Sequence, residues 1–176
     1  MIDKITMKLS IALKSKYPNE LPEVETINYV HKFVLSNILP IVLILTIAAL
    51  TGNLASISLS LIGFAVLRAF SGGVHLKKLE SCLLLSTAII VGIPWLSDWV
   101  ADYTIILTII ASILVLIYAP SNIRKQTLIP ERFFIYLKII SFIIVVSNLL
   151  IESKVLAMAF FVQAITLIRL KGGEKK

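Results

Sequence analysis

The chain has 176 residues, of which 58% are hydrophobic and only 15% are charged, and its formal net charge is +7. A soluble domain carries about a quarter charged residues, so this composition excludes an ordinary soluble domain and a disordered chain. A single cysteine also excludes an internal disulfide. The composition therefore predicts a membrane protein.

The first 32 residues are polar or amphipathic, and they precede the first long apolar run. Within residues 2–16 the apolar side chains recur at helical spacing, at Ile2, Ile5, Leu9, Ala12 and Leu13. Lysines fill much of the rest, so the pattern predicts a basic amphipathic helix on the inner leaflet of the membrane. A solvated leader is the alternative. A second helix is expected to start near Pro22 and to run into the first span, because proline is tolerated in a first helical turn.

Six apolar stretches are long enough to cross a bilayer, which takes roughly 17–25 helical residues. The predicted spans are 33–50, 54–67, 82–100, 103–119, 133–151 and 155–170. None alternates with the period of a strand, so helices are favoured over a β-barrel. The predicted fold class is an all-α, polytopic membrane protein with about six transmembrane helices. Residues 1–32 form its leader, 33–170 its membrane domain and 171–176 a cytoplasmic tail.

The basic residues predict the orientation of these spans. All of the 17 lysines and arginines except Lys154 fall on one side of the six-span arrangement. Basic loops stay in the cytoplasm, so both termini are expected there. This topology accounts for the positive charge. Nucleic-acid binding is disfavoured, because the basic residues are spread over four segments without a recognisable binding motif.

The segment 68–82 gathers polar side chains at the predicted cytoplasmic border of an otherwise apolar chain. It contains Cys82, the only cysteine, and His75, one of the two histidines. A thiol beside an imidazole is the minimal nucleophilic pair, because the imidazole accepts the thiol proton and the thiolate attacks an acyl carbon. The sequence therefore favours a catalytic pair formed by these two side chains.

The seven-residue spacing of this pair constrains the backbone. On a straight α-helix, two residues seven apart are about 10.5 Å apart along the axis, too far for a hydrogen bond. The pair therefore requires a bend, and Gly72 and Gly73 allow backbone angles that other residues avoid. We expect a kinked or re-entrant turn around residues 72–80. A new helix would follow, with Ser81 as its N-cap and Cys82 in its first turn.

Other interpretations of the same segment remain open. A cysteine in a membrane helix is often a packing residue, and an interfacial histidine is often merely solvated. Ser71 and Ser81 are alternative nucleophiles, although thiol chemistry is easier at neutral pH. A zinc site needs three or four ligands, and only His75, Glu80 and Cys82 cluster here. We therefore expect no metal and no cofactor.

The spacing of Arg68, Gly72-Gly73, His75 and Cys82 resembles the signature of the AgrB family, the accessory gene regulator B membrane endopeptidases of Gram-positive bacteria. The resemblance implies an enzyme that cuts the C-terminal part from a small quorum-sensing propeptide. The enzyme would form a thioester, which an internal cysteine or serine of the substrate captures to close a thiolactone or lactone ring. Cys82 would be the nucleophile and His75 the general base and acid. Arg68, Gly72 and Gly73 would support the site.

The resemblance also implies the partners and the location. The substrate would be an AgrD-like propeptide, and the protein would be a homodimer among the lipids of the bacterial plasma membrane. Four basic residues could attract an acidic propeptide tail: Lys77, Lys78, Arg124 and Lys125. The cytoplasmic bias of basic residues explains them equally well. The loop 120–130 departs from the family pattern, because it lacks a Lys-Pro or Arg-Pro pair.

Two non-enzymatic interpretations compete with the peptidase. A small peptide transporter or export channel would carry polar groups at the middle of the membrane, commonly on broken helices. Asn148 and Gln163 are the clearest polar side chains within the predicted spans. A scaffold subunit, in which Cys82 is inert, is the other possibility.

Overall fold

The computed structural model describes residues 2–73, 79–121 and 130–168, and these residues are helical almost throughout. In chain order the α-helices are α1 Ile2–Lys16, α2 Val24–Leu50, α3 Leu54–Ser71, α4 Leu79–Trp99, α5 Thr104–Tyr118, α6 Phe134–Val146, α7 Asn148–Ile151 and α8 Lys154–Ile165. Short 3-10 turns at Ala101–Tyr103 and Glu131–Phe133 lead into α5 and α6. Within the described ranges there is no β-strand, and the all-α prediction is confirmed.

Five helical segments are long and apolar enough to cross a membrane: Val24–Leu50, Leu54–Ser71, Ser81–Trp99, Ala101–Tyr118 and Glu131–Ile151. They coincide with the first five predicted spans. The last predicted span, 155–170, corresponds to a helix that is shorter than expected. In the described part of the chain, α8 has only 12 residues and ends at Ile165. At 1.5 Å per residue α8 reaches about 18 Å, whereas the hydrocarbon core of a bilayer is about 30 Å thick.

Because α8 is buried among other helices, its length need not match the thickness of the bilayer. It packs against α3, α4 and α5, and most of its side chains are buried: Val155, Leu156, Ala157, Ala159, Phe160, Gln163 and Ala164. The five long segments bury only 11% to 33% of their apolar windows. A helix that is apolar on all sides lies inside the protein. Because neighbouring helices shield it from lipid, its chain can leave the helical conformation at membrane depth.

A glycine on α3 lets α8 approach closely. A Cβ atom added at Gly63 would lie 2.7 Å from Leu156 Cδ2 and 3.5 Å from the ring of Phe160. Small residues at such crossings let two membrane helices pack backbone against side chain. This contact holds α8 against the helix that leads into the segment predicted to carry the chemistry.

The leader forms a helix over Ile2–Lys16, as predicted, and it packs against α2. Its polar side faces α2: Ser10 is buried, and its Oγ forms a 2.8 Å hydrogen bond with His31 Nδ1. Its apolar side faces away from the protein, because Ile5 and Leu9 are 55% and 52% exposed. An interfacial helix that rests on lipid presents its apolar side in this way. Contact with the membrane remains a prediction.

The connections between helices separate into two ends of the bundle. At one end, Lys154 Nζ at the start of α8 lies 2.6 Å from Asp98 Oδ1 near the end of α4. At the other end, the end of α3 lies beside the end of α8 and the residues that follow α5. The chain therefore alternates in direction as the sequence predicts. The assignment of the second end to the cytoplasm follows from the basic residues and remains a prediction.

Candidate active site

The chain leaves the helical conformation directly after α3. Gly72 has φ of 73° and Gly73 has φ of 141°, values that residues with a side chain rarely adopt. The Gly73 N–H donates to Ser121 O at 3.0 Å, and the Ser121 N–H donates to Ser71 O at 2.9 Å. These bonds fix the turn against the residues that follow α5. Residues 68–82 are therefore not one continuous helix, as the proposed pair requires.

The turn leaves no room for a side chain at Gly73. An added Cβ atom would lie 2.9 Å from Thr166 Oγ1, 3.3 Å from Arg68 Nη1 and 3.4 Å from Gln163 Nε2. Three polar side chains thus surround the glycine at contact distance. Gly73 is therefore favoured for two reasons: its backbone angle suits glycine, and a side chain would not fit among its neighbours.

The side-chain amide of Gln163 connects α8 to the end of α3. Gln163 is completely buried. Its Nε2 donates to Gly72 O at 2.7 Å and to Ser71 Oγ at 3.3 Å. Its Oε1 accepts from Arg68 Nη1 at 3.4 Å and from Thr166 Oγ1 at 3.1 Å. Both polar atoms of the amide are therefore satisfied, which a buried amide requires to avoid a penalty of a few kcal/mol.

Cys82 lies on α4 and is partly buried. Ser81 lies inside this helix, which is described from Leu79 onward, so the prediction of Ser81 as its N-cap is wrong. Residues 74–78 lie outside the described ranges, so the position of Cys82 in the first turn remains a prediction. Partial positive charge at a helix start would favour a thiolate over a thiol there.

Arg68 joins the polar side chains around the glycine turn. It contacts Gln163 on α8, and it lies on α3, which packs against α4, the helix that carries Cys82. Its guanidinium also lies over the ring of Phe64, with 5.9 Å from Cζ to the ring centroid. We name the group formed by Arg68, Ser71, Gly72, Gln163 and Thr166 the polar cluster.

Several predicted site residues lie outside the described residues. They are His75, Lys77 and Lys78 in 74–78, and Arg124 and Lys125 in 122–129. The side chain of Glu80 is likewise outside them. The pairing of His75 with Cys82 and the role of the four basic residues therefore remain predictions. Within the described ranges no group of three or more histidine, cysteine and acidic residues could hold a metal ion.

The other buried amide, Asn148, lies at the opposite end of the bundle. Its Nδ2 donates to Thr108 Oγ1 at 3.0 Å and to Ser153 O at 3.2 Å. The Ser153 N–H donates to Asn148 Oδ1 at 3.2 Å. Asn148 and Gln163 thus each bind a connection near a helix end. This differs from the polar groups at the middle of the membrane that a transport pathway would use.

The connecting role of Gln163, Ser121 and Thr166 was not predicted from the sequence. The available signal was an amide inside an apolar segment, on the same predicted side of the membrane as the glycine pair. That signal indicated a polar contact but not its partner.

We expect Gly73→Ala to lower the thermal unfolding midpoint by several degrees more than Gly52→Ala does, because its backbone strain is joined by displacement of the packed neighbours. The added methyl group meets three polar atoms and an unfavourable φ together. Gly52→Ala is the matched control: Gly52 also has positive φ, 69°, but no atom lies within 4 Å of an added Cβ. Thermal unfolding midpoints would be measured in lipid. Equal losses in both variants would contradict a specific role for Gly73.

The described helices and the polar cluster define a multi-pass membrane protein with a cysteine-containing site at one end of its bundle. The family model named Accessory gene regulator B matches residues 2–170, nearly the whole chain. The chain belongs to the AgrB family, and the resemblance is confirmed. Membership implies a part in processing the peptide of accessory gene regulator quorum sensing.

A similar protein supports this assignment. A protein described as AgrB-like from Halalkalibacterium halodurans is 25% identical over 146 residues, which cover 83% of this chain and 74% of that protein. No solved structure matches the chain.

Proposed function

We propose that the protein is a membrane-embedded cysteine endopeptidase that removes the C-terminal part of a small AgrD-like propeptide. The observation that supports this most directly is the break after α3 at Gly72 and Gly73, on the helix that packs against α4, which carries Cys82. A nucleophilic cysteine needs partial exposure, and Cys82 is only partly buried. The family supplies the substrate class.

In the proposed reaction, His75 accepts the proton of the Cys82 thiol. The thiolate then attacks the carbonyl carbon of the scissile peptide bond. The C–N bond breaks as His75 returns the proton to the leaving amine, which departs with the C-terminal fragment. The N-terminal part of the propeptide remains bound to Cys82 as a thioester.

The supporting residues act on the nucleophile and on the backbone. The charge of Arg68 stabilises a thiolate at Cys82, and the start of α4 acts in the same direction. The turn at Gly72 and Gly73 directs the chain away from the axis of α3, so that His75 can meet Cys82. The four basic residues of the two cytoplasmic loops, Lys77, Lys78, Arg124 and Lys125, attract the acidic end of the propeptide.

Ring closure follows from the chemistry of the thioester. A cysteine or serine within the bound propeptide gives its proton to His75 and attacks the acyl carbon, forming a thiolactone or lactone. The bond from that carbon to Cys82 breaks, and the sulfur leaves as a thiolate beside the protonated His75. Exchange of the enzyme thioester for a thiolactone conserves the reactive bond, so no ATP is needed at this step. Hydrolysis is the competing reaction, and a site between helices that holds the two groups close favours cyclisation.

The proposed reaction takes place at the cytoplasmic face of the bacterial plasma membrane. Both chain termini lie in the cytoplasm, because the basic residues collect on that side. The exposed apolar side of α1 rests on the inner leaflet, along which an amphipathic propeptide arrives. The functional unit is a homodimer, as in the family.

A trapped thioester tests this mechanism directly. The purified protein in liposomes would be mixed with its propeptide, quenched in acid after seconds and measured by intact mass. We expect an adduct equal to the N-terminal fragment less one water, located on Cys82 and removed by neutral hydroxylamine. Because the chain has a single cysteine, the site of attachment is unambiguous. Efficient cleavage without any adduct would contradict covalent catalysis.

A further inference from the structure

Gln163 contributes to the site from a helix that lies far away in the sequence. It is completely buried on α8 and contacts the Gly72 carbonyl, the Ser71 hydroxyl and the Arg68 guanidinium. The Gly72 carbonyl belongs to the end of α3, where carbonyls lose their helical partners. The 2.7 Å bond from Gln163 Nε2 satisfies this carbonyl inside an apolar bundle.

The chemical nature of the amide matters for Arg68. A glutamine oxygen orients the guanidinium without neutralising its positive charge. A carboxylate at the same place would form an ion pair with Arg68 and compete for its charge. An apolar side chain would leave the guanidinium without this acceptor and the Gly72 carbonyl without this donor.

We propose that Gln163 is a positioning residue, which orients the Arg68 guanidinium and fixes the turn at Gly72, and which thereby sets the reactivity of Cys82 on the neighbouring helix α4. This inference rests on the proposed role of Cys82 as nucleophile. Gln163 does not touch the reacting atoms. Its effect reaches the sulfur through Arg68. Gln163 thereby links the short buried helix α8 to the reactivity of Cys82 on α4.

The test is the rate at which iodoacetamide alkylates Cys82 as a function of pH, in the full chain reconstituted in liposomes. Since Cys82 is the only cysteine, no other thiol reacts, and the mass of the peptide that contains it reports its alkylation. We expect Gln163→Met to slow alkylation at neutral pH by about tenfold, with the profile moved to higher pH by about one unit. Gln163→Glu, of nearly the same shape, should move the profile further, because its carboxylate pairs with Arg68.

Asn148→Leu is the matched control. It also removes a fully hydrogen-bonded, buried amide, but at the opposite end of the bundle. We expect its thermal unfolding midpoint to fall while its alkylation profile stays that of the wild type. If Gln163→Met does not fold, the Gln163→Glu profile decides the question.

Two results would overturn the proposal. One is a wild-type alkylation profile in the folded Gln163 variants. The other is an equal shift in Asn148→Leu, which would show that loosening of the bundle alone affects the sulfur. Alkylation requires no propeptide, so this outcome is independent of peptidase activity. Failure of the proposed function would instead appear as cleavage that persists without Cys82.

Discussion

Replacing Cys82 with alanine is expected to abolish propeptide cleavage, lowering the rate by about 10³-fold or more. The reason is chemical: alanine has no group that can attack the carbonyl carbon, and water held at the same place lacks the reactivity of a thiolate. Release of the C-terminal fragment from purified protein in liposomes, followed by chromatography and mass spectrometry, measures the rate. The same samples should show no acyl adduct.

Controls separate chemistry from folding in this experiment. Cys82 is half-buried, and removing its sulfur takes away little packing, so the alanine variant should keep its helical content and unfolding midpoint. A Cys82→Ala protein that cleaves at the wild-type rate would eliminate the mechanism. If that variant moved intact propeptide into the liposomes without cutting it, a transport function would be favoured instead.

The membrane fold was predictable because a bilayer requires long apolar segments and favours basic loops on its cytoplasmic side. Five predicted spans correspond to long helices, and the leader helix occupies the expected residues. The last span was overestimated, because hydropathy cannot distinguish a helix that faces lipid from one that faces other helices. The helix α8, Lys154–Ile165, is apolar because it faces other helices.

The site was predictable only where its signals are local. The glycine pair marks the break after α3, and the step from Arg68 to Cys82 lies within one short segment. Gln163 lies 95 residues from Arg68, and its role depends on packing between helices that no local pattern encodes. Ser81 shows the same limit at small scale, since this good capping residue lies inside α4.

The C-terminal end of α8 takes part in the site. Gln163 lies in its last turn and Thr166 directly follows it, and both lie beside Gly73 after the end of α3. The buried helix therefore supports the fold through its apolar sides and the polar cluster through its C-terminal end.

The two histidines of the chain allow a matched test of the proposed base. His75→Ala is expected to lower the cleavage rate by about 10²- to 10⁴-fold, the range that general acid–base catalysis supplies. His31→Ala removes the same imidazole from the contact with Ser10 in the leader, and its cleavage rate should stay within about twofold of the wild type, because this contact lies outside the polar cluster. Rates of fragment release and of adduct formation would be measured for both variants.

Added imidazole should partly restore the His75→Ala rate, because a small base can occupy the space of the missing ring and accept the thiol proton. The wild type and His31→Ala should not respond. Near-normal cleavage in His75→Ala, or an equal loss in His31→Ala, would contradict the role of His75 as base. In that case Arg68 and the start of α4 alone would have to keep the Cys82 sulfur as a thiolate, and the leaving amine would need another proton donor.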